Sequence, residues 1–140
     1  MLRPALLLAV VALAGGCGGS SDEESDESRT SKDGGTNLEI RVWPSGEDGA
    51  LTLWTLTCPA GGTLPDAARA CERLEELGTR AFAPTPKDVV CAQIYGGPEV
   101  AEVTGTFEGQ PVNARFTRID SCEMERWKRV EFLFARSGPT

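Results

Sequence analysis

Residues 55–78 read TLTCPAGGTLPDAARACERLEELG, and within this stretch the hydrophobic pattern changes from the period of a strand to that of a helix. Up to Cys58 apolar and polar residues alternate, as they do in a strand with one buried face. From Pro65 the apolar residues fall on one face of a 3.6-residue repeat, namely Ala67, Ala70, Cys71, Leu74 and Leu77. Proline suits the first turn of a helix, and Gly78 is placed to end it. The stretch therefore predicts a strand, a Gly-rich turn and a helix with Cys71 facing inward.

On either side of this stretch the pattern predicts more strands than helices. Strands are expected at 38–42, 51–58, 100–107, 112–119 and 130–135, with turns at 44–49 and 108–111. The alternation slips at Trp54, which indicates either a bulge or a tryptophan that faces the sheet edge. The charged residues of 123–129 are interpreted as a solvated turn in which basic and acidic side chains compensate one another. The predicted fold is α+β, an antiparallel sheet with a helix packed on it.

The segment before residue 18 has the pattern of an export signal. Arg3 is followed by an apolar run at 5–14 and then by two glycines and Cys17. The run is about half the length that a membrane-spanning helix needs, so residues 1–16 are expected to be a signal peptide that is removed. The residues Leu13-Ala14-Gly15-Gly16-Cys17 resemble a bacterial lipobox, in which the cysteine is lipidated and becomes the mature N-terminus. The alternative is an ordinary secretory signal with an incidental cysteine.

Residues 17–36 are expected to form a flexible tether and residues 37–140 the folded domain. The tether sequence GGSSDEESDESRTSKDGGT after Cys17 has no apolar residue, so burial cannot offset the entropy of ordering it. The remaining length suits one small domain. A lipid anchor at Cys17 would hold this domain on the outer face of the cell membrane, whereas a protein without lipidation would be secreted.

The composition argues against several classes of function. A formal net charge of -7 is unfavourable for binding nucleic acid, which calls for clustered Lys and Arg. The sequence has no histidine, which removes the usual general base and the commonest zinc ligand. It also has no Gly-rich phosphate loop or dinucleotide fingerprint. We therefore expect a protein that is not an enzyme and that uses no cofactor, metal or nucleic acid.

Cysteine parity supports lipidation of Cys17. The chain has five cysteines, and lipidation of Cys17 leaves the even set Cys58, Cys71, Cys91 and Cys122. In an exported domain these four are expected to form disulfides, although spacing alone does not choose among the three pairings. A metal site of four thiolates is the competing interpretation, but the C-x-x-C spacing typical of such sites is missing.

Several segments, in this order and with these spacings, resemble the bacterial subtilisin inhibitor-like family of secreted serine protease inhibitors. They are LTCPAGGTLP at 56–65, Ala70-Cys71 with Leu74 one turn on, VCAQIY at 90–95, VTGTFEG at 103–109, Cys122 and VEFLF at 130–134. The resemblance implies a five-stranded antiparallel sheet with one main helix, and room for a second short one, on one face. It also implies two disulfides, Cys58 with Cys71 and Cys91 with Cys122.

The resemblance further implies a reactive bond. In that family the residue two after the third cysteine is P1, the position whose carbonyl the protease attacks. Here P1 is Gln93 and P1′ is Ile94. The rest of the protease-contacting loop is then Val90 (P4), Cys91 (P3), Ala92 (P2) and Tyr95 (P2′). Because an uncharged Gln93 cannot pair with the carboxylate of a trypsin-like pocket, a subtilisin-like target is favoured over a trypsin-like one.

Two departures from the family pattern predict a looser loop. Ala92 stands where proline is common, and Gly96-Gly97 lengthens a common Tyr-Asp-Pro. The expected function is inhibition of an extracellular serine protease by substrate-like insertion of residues 90–95. The alternative is a non-inhibitory surface lipoprotein that uses the same fold as a protein-binding module. Family members often pair through their sheets, which leaves a homodimer open.

Overall fold

The computed structural model describes residues 34–135, which form one antiparallel sheet with two helices packed on one face. The strands are β1 (Asn37–Trp43), β2 (Thr52–Thr57), β3 (Gly61–Gly62), β4 (Val100–Phe107) and β5 (Gln110–Phe116). The helices are α1 (Ala67–Leu77) and α2 (Ser121–Val130), each followed by a 3₁₀ turn, at Gly78–Phe82 and Glu131–Leu133. The strands lie in the order β3-β2-β1-β4-β5. The predicted α+β fold with a five-stranded sheet is confirmed.

The core lies on one face of the sheet, as the alternation in β1 predicted. Leu38, Ile40 and Val42 are buried. Val103 of β4 lies opposite Ile40 and is also fully buried. Leu74 of α1 belongs to the same cluster, so the helix covers this face. Burying one such side chain contributes roughly 1.5–3 kcal/mol, which makes this layer the main source of hydrophobic stabilisation. Between residues 34 and 135, no helix is long and apolar enough to cross a membrane.

The prediction for the second strand is wrong at Trp54. β1 pairs with β2 in an unbroken register, and Trp54 lies opposite the buried Ile40. There is no bulge, because Trp54 is half-buried on the core face in phase with Leu56. Leu51 and Leu53 are instead about half exposed, at 48% and 51%. The hydrophobic pattern predicted that these two leucines face the core. In the structure the larger indole of Trp54 packs against the core instead.

α1 forms where the 3.6-residue period predicted it, and it ends at Leu77 directly before Gly78. Its inward face buries Cys71, whose sulfur is bonded to Cys58 just beyond the end of β2. The two Cα atoms are 5.6 Å apart. This disulfide therefore joins the strand to the helix across the Gly-rich connection that contains β3.

β4 and β5 form the predicted hairpin. Glu108 and Gly109 both have positive φ, 49° and 78°, as a two-residue turn with the twist of the strands requires. β5 ends at Phe116, earlier than the predicted 119, because the chain leaves the sheet to reach α2. At the turn, the Gly109 N–H donates to Gly35 O at 3.0 Å and the Glu108 N–H donates to Thr36 Oγ1 at 3.1 Å. Residues 35 and 36, assigned to the tether from composition, are therefore hydrogen-bonded to the domain.

The C-terminal part of the domain differs most from the prediction. The turn at 123–129 and the strand at 130–135 are both wrong, because α2 and its 3₁₀ turn occupy these residues. The Asp120 side chain caps α2 by accepting the Glu123 N–H at 2.9 Å. The buried residues Val130, Leu133 and Phe134 are spaced as on a helix rather than alternately. Residues 34–135 thus contain two helices, of 11 and 10 residues, where the resemblance implied one main helix with room for a second short one.

Candidate functional site

A long exposed loop joins the 3₁₀ turn after α1 to β4. Residues 83–99 contain no helix or strand. Loops of this length inside a compact domain are usually functional. Val90 is 95% exposed, Tyr95 66% and Ile94 55%, and Gln93 is exposed as well. The predicted reactive bond, Gln93–Ile94, therefore lies at the protein surface.

A disulfide attaches this loop to α2. Cys91 is bonded to Cys122, the second residue of the helix, and the two Cα atoms are 5.4 Å apart. Together with the Cys58–Cys71 bond, this confirms both disulfide pairings that the family resemblance implied. A disulfide contributes about 2–4 kcal/mol to stability, in the usual account by restricting the unfolded chain. Here it also fixes the loop two residues before the predicted bond.

Ser121 holds the next residue of the loop through two hydrogen bonds. The Ala92 N–H donates to Ser121 Oγ at 2.8 Å, and the Ser121 N–H donates to Ala92 O at 3.0 Å. A proline at position 92 would have no N–H to donate. The bond to Ser121 therefore restrains a residue that lacks the restricted backbone of proline.

The other side of the predicted bond is held by the segment that precedes α2. The Gly96 N–H donates to Arg118 O at 2.6 Å. Between these attachments, the Ile94 N–H donates to Ala92 O at 2.8 Å, which places Gln93 at the centre of a γ-turn. The Gln93–Ile94 bond consequently lies between two fixed points of the backbone, Ala92 and Gly96.

Arg126 of α2 supports the chain that leads into the loop. Its Nε donates to Ala83 O at 3.0 Å, and its Nη1 donates to Arg115 O at 3.1 Å and to Glu123 Oε2 at 2.8 Å. The guanidinium also lies over the Phe116 ring, 4.8 Å from its centroid. The side chain is only 11% exposed. Arg126 therefore connects the loop, β5 and α2, and it is not part of a solvated turn.

A separate charge network lies on the opposite, polar face of the sheet. Arg115 Nη1 contacts Glu47 Oε1 at 2.8 Å and Glu102 Oε1 at 3.0 Å. The hydrogen bond from Arg115 lowers the pKa of Glu47 below its ordinary value, and the bond to Glu47 raises the pKa of Arg115. This network joins the turn between β1 and β2 to β4 and β5, away from residues 90–95.

Residues 34–135 contain one cluster of potential metal ligands beside the loop and a groove beside α2. Potential ligand atoms of Cys91, Asp120 and Cys122 lie within 4.8 Å of one another, but the two sulfurs are bonded together and leave no thiolate. A groove of about 860 Å³ is lined by residues that include Met124 and Trp127 of α2, and none of residues 90–95 lines it. The candidate site is therefore a protruding loop and not a cavity.

The structure brings the predicted site residues together on one supported segment. Residues 90–95 are continuous and exposed apart from the half-buried Cys91. The sequence patterns did not predict the residues that hold them, namely Arg118, Ser121 and Arg126. The Asp-x-x-Glu spacing at 120–123 is a signature of a helix N-terminus and could have predicted α2, with Ser121 at its start. No sequence signal identifies Arg118, whose backbone carbonyl accepts the Gly96 N–H and whose guanidinium contacts Glu99.

Parts of the chain are similar to known proteins. A family described as subtilisin inhibitor-like matches residues 43–118, which is more than half of the 140 residues. A second similarity is to the "Mu-like prophage FluMu protein gp47" of Haemophilus influenzae (strain ATCC 51907 / DSM 11121 / KW20 / Rd). The two are 31% identical over 80 residues, which are 57% of this chain and 21% of the prophage protein. The chain thus spans about a fifth of the length of that protein.

Proposed function

This chain belongs to the subtilisin inhibitor-like family, and on that basis we propose that it inhibits an extracellular serine protease with residues 90–95 as a substrate-like loop. Gln93 is P1, and its peptide bond to Ile94 is the bond offered to the enzyme. Family members are inhibitors and not enzymes, so the partner is a protease and the activity requires no cofactor.

The observation that carries this proposal is an exposed peptide bond whose two flanks are both attached to the domain. On one flank Cys91 is bonded to Cys122 and Ala92 is hydrogen-bonded to Ser121. On the other flank Gly96 is hydrogen-bonded to Arg118 O at 2.6 Å. A loop already held in one conformation loses little entropy on binding, so substrate-like contacts give a tight complex.

The exposure of the loop supports a substrate-like mechanism. The backbone at 90–92 can pair with an edge of the enzyme's cleft as an added strand, while alternate side chains enter its pockets. Val90, at 95% exposure, is free to fill an apolar P4 site, and the exposed Gln93 is free to fill S1. If the protease cuts the bond, the new termini at Gln93 and Ile94 remain attached on their own sides. Religation then competes with release of the cut ends.

The chemistry of P1 favours a subtilisin-like enzyme over a trypsin-like one. A trypsin-like S1 pocket ends in a carboxylate, which an uncharged glutamine leaves without a partner, at a cost in binding energy. A broad, mainly apolar S1 cleft has no such requirement. The apolar Val90 at P4 is consistent with the same class of enzyme.

The cellular location is proposed from residues 1–36, nearly all of which lie outside the described part of the chain. We propose removal of residues 1–16 as a signal peptide, lipidation of Cys17 and a tether that carries the inhibitory domain away from the membrane surface. Detergent partitioning of the expressed protein tests the anchor. The native chain should enter the detergent phase, and a Cys17→Ala variant should stay in the aqueous phase. Equal partitioning of both proteins would contradict lipidation.

Inhibition assays with subtilisin and trypsin test the proposed function. The purified domain at micromolar concentration should block hydrolysis of a peptide substrate by subtilisin and should leave trypsin active. A folded domain that inhibits neither enzyme would favour the alternative, a surface lipoprotein that uses the fold only to bind a protein partner. If subtilisin is inhibited, a panel of serine proteases assayed side by side defines the range of targets.

A further inference from the structure

Two glycines just beyond the proposed reactive bond are closely packed. A Cβ atom placed on Gly96 would overlap the Met124 sulfur and lie 3.1 Å from Arg118 O. Met124 could turn aside, but Arg118 O is fixed because it accepts the Gly96 N–H. Gly97 has a φ of 145°, which strongly favours glycine. The glycines let the chain pass close to α2 and the segment before it.

Gly97 also lies against an ion pair. A Cβ atom on Gly97 would overlap the Glu99 carboxylate, whose Oε1 accepts from Arg118 Nη1 at 2.8 Å. The Glu99 and Arg118 side chains are only 27% and 32% exposed. Glu99 Oε2 is buried and has no hydrogen-bond partner among the described residues. The carboxylate is thus confined between Gly97 and Arg118, and its position depends on both.

These contacts converge on one residue. Arg118 holds Gly96 through its backbone carbonyl and holds Glu99 through its guanidinium. Gly97 lies between these two attachments. The primed side of the loop, residues 94–99, is therefore fixed to the domain at both Gly96 and Glu99. From the sequence, Gly96-Gly97 predicted a looser loop. In the structure the same two glycines are closely packed.

We propose that Glu99 and Arg118 are positioning residues, which act with Gly96-Gly97 as a clasp on the primed side of the reactive bond. This inference rests on the proposed inhibitory function. When a protease hydrolyses the Gln93–Ile94 bond, one water is consumed and Gln93 gains a carboxyl group while Ile94 gains an amino group. The clasp holds that amine close to Gln93, so that the reverse reaction can re-form the peptide bond and expel the water.

The test compares Glu99→Gln, Arg118→Met and Gly97→Ala with the unaltered chain by two measurements. Amide hydrogen exchange at Gly96 reports the clasp directly and needs no protease. The rate of cleavage at Gln93–Ile94 by subtilisin reports its consequence. We expect each substitution to speed both processes by about tenfold or more. Exchange at Gly96 should be faster because the loop opens locally more often, and cleavage should be faster because the cut ends are held less well for religation.

Two internal references separate a local from a global effect. Glu102→Gln is the matched control, because Glu102 forms a comparable ion pair with Arg115 on the other face of the sheet, at 3.0 Å. It should change neither measurement by more than about twofold. Val103 in the central part of β4 is fully buried, and its amide should exchange at the same rate in all variants.

The outcomes distinguish this inference from the proposed function. Unchanged exchange at Gly96, or equal acceleration at Gly96 and Val103, would overturn the clasp, the latter because the residues would then act on overall stability. If the unaltered chain fails to inhibit any protease, the proposed function fails. The clasp is still judged in that case by exchange at Gly96 and by the relative rates of cleavage.

Discussion

Ser121 Oγ accepts the Ala92 N–H at 2.8 Å, and this one bond connects the first residue of a helix with the residue before the proposed P1. A proline at position 92 would restrict the loop through its ring but could not make this bond. With alanine at position 92, the loop is therefore restrained by a hydrogen bond and not by a proline ring. The hydrogen bond also joins the loop to the capped end of α2, where the backbone is well fixed.

Removing the Ser121 hydroxyl should loosen the loop. A hydrogen bond of this kind contributes about 0.5–1.5 kcal/mol, so Ser121→Ala should speed subtilisin cleavage at Gln93–Ile94 by roughly three- to tenfold. Cleavage is followed by mass spectrometry. Ser45→Ala, in the exposed turn between β1 and β2, serves as the control. Subtilisin should cleave this variant at the same rate as the unaltered chain. Equal rates for the two variants would show that the Ser121 bond does not restrain the loop.

The two disulfides should have separable effects. Replacing either pair by serines should lower the free energy of unfolding by about 2–4 kcal/mol. Only the Cys91→Ser/Cys122→Ser variant should also accelerate cleavage in the loop, by about tenfold or more, because only that bond touches the loop. The assay is run at a temperature at which both variants are folded, as judged by circular dichroism. Similar acceleration in Cys58→Ser/Cys71→Ser would contradict a specific role for the loop disulfide.

A substitution at P1 should change which protease the domain inhibits. Gln93→Lys places a cation where a trypsin-like pocket has its carboxylate, so we expect trypsin inhibition to improve by about 100-fold or more. Val90→Lys introduces the same charge elsewhere in the same loop and should leave trypsin inhibition weak. The inhibition constants of both variants against trypsin are measured and compared. If Val90→Lys and Gln93→Lys improve trypsin inhibition equally, Gln93 is not P1.

The contact between Glu47 and Arg115 should make stability depend on pH. Because the Arg115 hydrogen bond lowers the pKa of Glu47 in the folded protein, the contact stabilises the fold above the ordinary glutamate value of 4.5. That stabilisation is lost as the pH falls through the lowered value. Glu47→Gln should therefore slightly reduce the thermal midpoint near pH 7 and make no difference at about pH 2.

The partner variant provides the control for this pH effect. In an Arg115→Met background, Glu47→Gln should change the thermal midpoint at neither pH, because the hydrogen bond is already absent. A loss on Glu47→Gln that is the same at all pH values would mean that the glutamate stabilises the turn by packing and not by charge.

The sequence predicts the parts of this fold in which one face is strongly apolar. β1 and α1 were identified because their periods are uninterrupted. Trp54 was misplaced because the exposed Leu51 and Leu53, just before β2 and at its start, are as hydrophobic as the residues that face the core. The end of the chain was misread because VEFLF satisfies a strand pattern, while its buried residues follow helical spacing after α2.

The sequence also predicts which residues of the loop are presented, but not what holds them. The resemblance rests on the order and spacing of several segments, including those with the cysteines, and it implies the position of Gln93 as P1. Arg118 acts through its backbone carbonyl and its guanidinium, Ser121 through its hydroxyl and its backbone N–H, and Arg126 through its guanidinium. All of these groups contact residues far away in sequence. Such contacts arise only when β5 and α2 bring these residues under the loop.

The fate of the Gln93–Ile94 bond in an equimolar mixture with subtilisin tests the central claim most directly. Residual protease activity and the mass of the domain are measured together over several hours. The proposed mechanism predicts that activity stays blocked while most of the domain remains uncut or reaches a steady mixture of cut and intact forms. Full protease activity with complete, one-way cleavage at Gln93–Ile94 would contradict it.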